Sequence, residues 1–281
     1  YWHLSRIEPR IIEPRTNKMA WRPLHTNHAI ERVKLAIQFS ESIPAKVSKQ
    51  MSEAIGMKRH DLRMTGPTPV QTIDLQFTPG MSAPVAQPAS TGWQFTRAAG
   101  NGLPLEAVLC DGTLLSYETS EYQRWDVFKR RLSKVLDEPV ARAAVSLDLA
   151  SVVLEYTDRF IFDGAAEQAD VEDLLNGMTA VLPEAALQGR SLWHLHKGWF
   201  ESEDGGEVLI NQNFDAQDGS VPGRSDPIRS IQILNRSELR QHMFPLNIEQ
   251  LAEHLEVLHN STKSLFTRAL AAKYHSSVGI G

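Results

Sequence analysis

The chain has 281 residues, of which 42% are hydrophobic and 22% are charged, and its formal net charge at pH 7 is −5. This composition is typical of a globular protein, and the negative charge argues against general nucleic-acid binding, which depends on Lys and Arg contacts with phosphates. The apolar runs are only a few residues long, so the sequence predicts no membrane-spanning segment. The single cysteine, Cys110, excludes an intrachain disulfide and a zinc site built from several thiolates. These features favour a cytoplasmic protein.

Charge is spread unevenly along the chain. Residues 137–226 contain 18 acidic and 5 basic residues, whereas the flanking segments are mildly basic. An acidic block of this kind is either a face for a basic partner protein or a set of solvated loops and helix surfaces. Both interpretations stay open at the level of sequence.

The first half of the chain predicts one arm and the start of a single domain. Residues 1–18 contain two short proline-bearing repeats, so we expect a disordered or upstream-translated arm before one folded domain at 19–281. Residues 29–39 alternate as a strand, and residues 45–55 predict a helix that ends at Gly56. Five prolines in residues 65–91 predict a loosely structured connection.

Hairpins are predicted next. Alternating strands at 92–97, 105–109 and 114–118 are separated by turn sequences, of which Asp111-Gly112 is the strongest hairpin signal. An amphipathic helix at 122–136 follows. In the strand after it, over 145–156, the apolar positions switch phase, which predicts a β-bulge near Ala150.

The last part of the chain predicts a short helix, a second hairpin, a loop, a strand and a long helix. Their ranges are 170–178 for the short helix, 193–201 and 207–214 for the hairpin, 215–227 for a mobile loop and 230–235 for the strand. Asn247 and Gln250 form a capping-box pattern at the start of the last helix. Apolar residues at 3-4 spacing extend that helix to about 25 residues, and His259 is the only ionisable residue of its apolar face.

These elements predict an α+β fold. Sequential hairpins pair antiparallel, because parallel pairs need crossover connections. We therefore expect a curved, mainly antiparallel sheet built from hairpins, with helices on one face and the long C-terminal helix across the sheet.

Several motifs, in order over residues 20–280, resemble a sporadically distributed bacterial protein family of similar length with no assigned function. The motifs are Trp93-Gln94-Phe95, Tyr122 to Phe128, Leu154 to Phe160, Ser230 to Asn235, and Leu258-His259 followed by Leu265-Phe266. Two places depart from the family pattern. Where a strand ending in arginine, tyrosine and asparagine is expected, this chain has Glu155-Tyr156-Thr157-Asp158, and Asn235 stands where an aspartate is expected. The patchy distribution of the family implies mobile genes.

No known catalytic motif occurs in the chain, so we predict no cofactor and no catalytic constellation. His194 and His196 are two residues apart on a predicted strand and face the same way, so they could hold a metal ion with a third ligand from the acidic block or His242. The alternative is that both histidines lie on the solvated face of a hairpin.

His259 and Asp158 are the candidate binding residues. His259 needs a hydrogen-bond partner if it is buried, and its role is either structural or that of lining a pocket between helix and sheet. Asp158 lies with Asp148 and Glu155 along one long strand, in a pattern similar to nuclease carboxylates but without a clustered lysine.

The sequence favours a non-enzymatic interaction protein that binds another protein, in a mobile-element, phage-defence or toxin-linked gene pair. One alternative is a metal-dependent hydrolase that uses His194, His196 and a carboxylate. The other is a small-molecule sensor with a pocket under the C-terminal helix. The oligomeric state stays open.

Overall fold

The computed structural model describes residues 20–76, 85–176, 192–203, 206–219, 226–240 and 247–280. The arm predicted at 1–18 lies outside these ranges. In chain order the described residues form β1 (Trp21–Pro23), β2 (Ile30–Phe39), α1 (Ala45–Leu62), β3 (Thr65–Gln76), β4 (Val85–Ala98), β5 (Pro104–Asp111), β6 (Leu114–Thr119), α2 (Trp125–Ala143), β7 (Leu149–Phe162), α3 (Val171–Leu174), β8 (Trp193–Glu203), β9 (Gly206–Gly219), β10 (Ile228–Arg240) and α4 (Ile248–Ala269).

The strands form one open antiparallel sheet. Its order is β3, β4, β5, β6, β2, β7, β10, β9 and β8, and β1 pairs with β7 off this path. Strands β2 and β7 pair at the centre and join the hairpins β3–β6 to the hairpins β8–β10. The predicted α+β fold, with an antiparallel sheet built from hairpins, is confirmed.

Helices α1, α2 and α4 pack on one face of the sheet. Alternate residues of β2, such as Val33 and Leu35, are fully buried. They belong to the same core as Met51 of α1, Leu136 of α2 and Leu258 of α4. This core depends on the two-residue repeat of the strands and the 3.6-residue repeat of the helices, because each repeat directs one apolar face inward.

The C-terminal helix α4 matches its prediction closely. It spans 22 residues, and its buried residues are Leu251, Leu255, Leu258, Thr262, Leu265 and Ala269. Asn247 is the N-cap, because its Oδ1 accepts a hydrogen bond of 2.8 Å from the backbone N–H of Glu249. The helix lies against β7 and β10. No helix in the described ranges is long and apolar enough to cross a membrane.

The bulge near Ala150 is also confirmed. Gln38 of β2 pairs with Ser151 of β7, and Phe39 pairs with Leu149, so Ala150 is the extra residue at the shift of register. Such an extra residue reverses the face to which the following side chains point.

Two predicted helix ends are wrong. Helix α1 continues through Gly56 to Leu62, and Arg63 then adopts a left-handed conformation at φ 57° as the C-cap. A glycine inside a helix costs only about 1 kcal/mol relative to alanine, and burial of Leu62 and Met64 beyond it offsets this cost. Helix α2 likewise continues past the predicted end to Ala143, with Pro139 inside it.

The connection predicted at 65–91 is instead a hairpin of β3 and β4. Pro67 and Pro69 are tolerated because β3 is an edge strand and its pairing is irregular, with register shifts between Thr65 and Thr68 and between Thr72 and Ile73. Residues 77–84 of the predicted connection lie outside the described ranges. The start of the loop predicted at 215–227 is corrected as well, because β9 extends to Gly219 and pairs with the start of β10. Residues 220–225 lie outside the described ranges. Of the helix predicted at 170–178, the described part is the short α3.

Candidate functional site

A cavity of about 1100 Å³ lies between α4, the first turn of α2 and the central strands of the sheet. Strands β2, β7 and β10 contribute its floor, and the segment before β2 and the residues after α4 contribute to its rim. The cavity therefore forms where the two groups of hairpins and two of the helices meet.

The alternation of β7 and β10 places three polar side chains on the floor. Tyr156 and Asp158 of β7 face the helices together, because residues two apart on a strand share a face. Asn235 of β10 is the register partner of Tyr156, and Ile233 is the register partner of Asp158. Asn235 thus lies on the same face, next to Tyr156 and diagonal to Asp158.

Asp158 is a buried carboxyl group with an unpaired oxygen. Its exposed fraction is 2%, and its Oδ1 has no hydrogen-bond partner among the described residues. Its cross-strand neighbours are the apolar Ile30 and Ile233. Burial raises the pKa of Asp158 to about 8 because it disfavours the charged form. The group is therefore mostly protonated at neutral pH.

The side-chain amide of Asn235 has one hydrogen-bonded atom and one unpaired atom. Its side chain is fully buried, and its Oδ1 accepts a hydrogen bond of 2.7 Å from Nε2 of Gln212. Its Nδ2 has no partner. The floor therefore contains an unused amide donor close to an unused carboxyl oxygen.

Two tyrosines and His259 form a neutral group beside these residues. Nδ1 of His259 and the hydroxyl of Tyr156 form a hydrogen bond of 3.0 Å, and the ring of Tyr122 lies edge-on to that of Tyr156 with centroids 5.8 Å apart. Burial lowers the pKa of His259 to about 4 and raises the pKa of Tyr122 to about 12. All three groups are uncharged at neutral pH.

Trp125 holds the His259 ring in place. The two rings stack with their centroids 4.1 Å apart and their planes within 6°. Nε1 of Trp125 donates a hydrogen bond of 2.9 Å to Glu256 of α4, and Glu256 also forms an ion pair with Lys129 of α2. These contacts join α2 to α4 and form one wall of the cavity.

The N-terminus of α2 opens onto the cavity. Arg124 at the N-cap position is extended, and no side chain caps the helix there. The first N–H groups of a helix and its dipole favour negatively charged groups. Arg124 and Lys263 are exposed at the same opening, whereas Arg130 forms a 3.0 Å ion pair with Asp126.

The two candidate binding residues, His259 and Asp158, meet in this cavity. The structure adds Asn235, Tyr122 and the N-terminus of α2, which we did not predict as site components. The sequence contains a signal that could have identified Asn235. The alternation of the last strand places this polar residue on the inward face, where an apolar residue is usual.

His194 and His196 lie elsewhere, on the edge strand β8. Both are exposed, whereas Trp193 and Leu195 pack partly against the core, as the alternation predicts. Nδ1 of His194 forms a hydrogen bond with Asp215. In the described ranges, no group of three or more His, Cys, Asp or Glu side chains is placed to hold a metal ion. His242 lies outside those ranges, and the metal site stays a prediction.

Asp148, Glu155 and Asp158 do not form a carboxylate cluster. Glu155 faces the other side of the sheet, where its carboxylate is 3.5 Å from Arg32, and Asp148 is exposed before β7 begins. Glu155 and Asp158 are three residues apart on one strand, which directs their side chains to opposite faces.

The acidic block at 137–226 is distributed over several elements. Its members include Glu138 on α2, Glu155 on β7 and Asp218 on β9, and each of them forms an ion pair with a basic residue. Asp163 pairs with Arg22 in the same way. These pairs are consistent with solvated surfaces on many sides of the molecule.

No protein-family model matches this chain, and no curated protein matches it. The resemblance to a bacterial family therefore stays a prediction from its motifs.

Proposed function

We propose that the protein binds a small molecule in the cavity beneath α4. The supporting observation is the carboxyl group of Asp158, which is buried, lines the cavity and has no hydrogen-bond partner at Oδ1. A buried polar group left unsatisfied costs about 1–3 kcal/mol of folding stability. A ligand that hydrogen-bonds Asp158 removes this cost in the bound state.

The size and lining of the cavity support the same function. Its volume of about 1100 Å³ is close to the upper end of the range of about 300–1000 Å³ that is typical of small-molecule sites. Aromatic walls and a few convergent polar groups are the usual composition of such sites. The neutral group formed by Tyr122, Tyr156 and His259 supports ligand binding more than proton transfer, because none of the three ionises near neutral pH.

A binding protein of this kind serves as a sensor if α4 responds to the ligand. Trp125 and His259 connect the cavity wall to both α2 and α4, so a ligand that contacts these rings contacts both helices. The sequence favours binding to another protein, and this stays a prediction. It is compatible with a sensor in which α4 responds to the ligand.

A thermal-shift screen tests the proposal. The probes are nucleoside monophosphates, amino acids, sugar phosphates and carboxylic acids, each at about 1 mM. We expect one class to raise the Tm, because a ligand at 100 times its Kd stabilises the fold by about 2.7 kcal/mol. The variants are Asp158→Leu and, as a matched control on the opposite face of the same strand, Glu155→Gln.

The Asp158→Leu protein should stay folded and lose the shift, and the Glu155→Gln protein should keep it. The proposal is contradicted if no probe class shifts the Tm of the unmodified protein. It is equally contradicted if the shift is the same with Asp158→Leu.

A further inference from the structure

The floor of the cavity offers a ligand two complementary groups. The N–H donors of a bound ligand favour the ionised form of Asp158, which only accepts hydrogen bonds, and Oδ1 of Asp158 is unpaired among the described residues. Asn235 only donates there, because its Oδ1 is already bonded to Gln212 and its Nδ2 is unpaired. A ligand that satisfies both groups must present N–H donors beside an acceptor atom.

The strand register places these two groups side by side. Asn235 is opposite Tyr156, and Asp158 is two residues further along β7 on the same face. Such diagonal neighbours lie about 7–8 Å apart. Side chains at this separation can contact adjacent atoms on one edge of a planar ring.

Aromatic residues line the cavity. The rings of Trp125 and His259 are stacked and parallel within 6°, and the ring of Tyr122 lies edge-on to Tyr156 with centroids 5.8 Å apart. Phe266 also lines the cavity. Aromatic walls favour a planar ring over a sugar or a branched aliphatic group.

The opening of the cavity favours an anion. Helix α2 has 19 residues and begins there without a side-chain cap, and Arg124 and Lys263 are exposed beside it. Helix N-termini bind phosphates through their free N–H groups. The buried, unpaired Asp158 and Asn235 in the same cavity independently indicate that a ligand extends inward from this helix end.

We infer that the ligand is a guanine nucleotide, with the base edge on Asp158 and Asn235 and the phosphate at the N-terminus of α2; the inference rests on the proposed small-molecule function. Guanine presents N1–H and its 2-amino group as adjacent donors next to the acceptor O6, which complements a carboxylate beside an amide donor. Adenine presents one exocyclic donor on that edge, and xanthine has a carbonyl in place of the 2-amino group.

The rest of the cavity is consistent with a nucleotide. Tyr156 and His259 have ring centroids 6.0 Å apart, and Trp125, the first residue of α2, stacks directly on His259. The ring of His259 therefore lies between Tyr156 on the floor and the first residue of α2. The volume of about 1100 Å³ accommodates base, ribose and phosphate.

Isothermal titration calorimetry of the full chain with GMP, guanosine, AMP and XMP tests the inference. We expect GMP to bind tightest. Guanosine should bind about tenfold or more weakly because it lacks the phosphate. AMP should be weaker by a similar factor because its edge leaves the carboxylate of Asp158 partly unpaired.

The Asp158→Asn variant changes one acceptor oxygen into a donor amide at constant shape. It should bind GMP about tenfold or more weakly and prefer XMP over GMP, because the new amide can donate to the 2-carbonyl of xanthine. Glu155→Gln, on the opposite face of the same strand, should bind all four probes as the unmodified protein does. A circular dichroism spectrum and a Tm for each variant confirm folding.

AMP binding as tight as GMP binding overturns the guanine assignment, and so does an unchanged GMP affinity in Asp158→Asn. If none of the four probes binds but another class stabilises the unmodified protein and not Asp158→Leu, the guanine assignment is overturned and the proposed small-molecule function is supported. If no probe of any class binds, both are overturned.

Discussion

Two buried carboxyl groups in this protein have opposite surroundings. Glu106 on β5 is fully satisfied: the hydroxyl of Tyr117 donates to it at 2.5 Å, and Arg131 and Arg97 form ion pairs with it at 2.7 and 2.8 Å. Burial by itself would raise the pKa of Glu106, but these hydrogen bonds outweigh burial and lower it. Asp158 is equally buried and has no such partners. The first group stabilises the fold, and we propose that the second binds a ligand.

Replacing each group should therefore change stability in opposite directions. Asp158→Leu should raise the free energy of unfolding by about 2 kcal/mol at pH 7, because it removes an unpaired buried polar group. Glu106→Gln should lower it by about 3 kcal/mol, because Arg97 and Arg131 then face a neutral partner in a partly buried site. Urea denaturation of both variants measures the two changes. A loss of stability in Asp158→Leu would contradict the assignment of Asp158 as an unsatisfied group.

The pH dependence of stability provides a second test of Asp158. Its folded pKa of about 8 lies above the ordinary aspartate value of 3.8, so the folded state keeps a proton that the unfolded state loses between these values. The contribution of Asp158 to stability is therefore greatest below pH 4 and declines by about 1.4 kcal/mol per pH unit until about pH 8. His259 acts in the opposite direction, because its lowered pKa destabilises the fold as the pH falls below 6.5.

Comparison with Asp158→Asn isolates the Asp158 contribution, because His259 is common to both proteins. The stability of Asp158→Asn minus that of the unmodified protein should increase between pH 5 and pH 8 and be constant above it. Denaturation curves at about five pH values measure this difference. A difference that does not change with pH would show that Asp158 ionises normally in the folded protein.

At the scale of elements, local patterns predict strands and helices well and their ends less well. The hairpin at Asp111-Gly112, the bulge at Ala150 and the cap at Asn247 were all predicted, because each depends on the conformational preference of a few adjacent residues. Gly56 led to a wrong helix end, and the prolines of 65–91 led to a predicted connection in place of strands. A glycine in α1 and prolines on an edge strand are tolerated when neighbouring residues are buried or paired.

The pairing of β4 with β5 depends on one glycine. A Cβ atom at Gly92 would lie 2.3 Å from the carbonyl oxygen of Cys110, so the two backbones approach more closely than any side chain allows. Gly92→Ala should lower the free energy of unfolding by about 2–3 kcal/mol, because β4 must shift to relieve this overlap. Thermal or urea denaturation measures the effect.

Gly100→Ala is the matched control, because a Cβ atom there would have nothing within 4 Å. It should change stability by no more than about 0.5 kcal/mol. Equal effects of the two substitutions would contradict the close approach of β4 and β5 at Gly92.

At the scale of the whole molecule, the cavity lies where separate parts of the chain converge. Its floor belongs to β2, β7 and β10, its wall to α2 and α4, and these segments extend from residue 27 to residue 280. The position of the cavity at the centre of the sheet explains why no contiguous motif marks it. It also explains how a ligand there would contact both halves of the molecule.

The sequence by itself determined the α+β class, the antiparallel hairpins and the C-terminal helix, because periodicity and turn chemistry act over a few adjacent residues. It also indicated His259, from its place on the apolar face of the last helix, and Asp158, from a pattern of carboxylates along one long strand. Only the tertiary structure decided that they share a cavity with Asn235 and the N-terminus of α2. That juxtaposition depends on strand register and helix docking between distant segments, and packing of the whole core sets both.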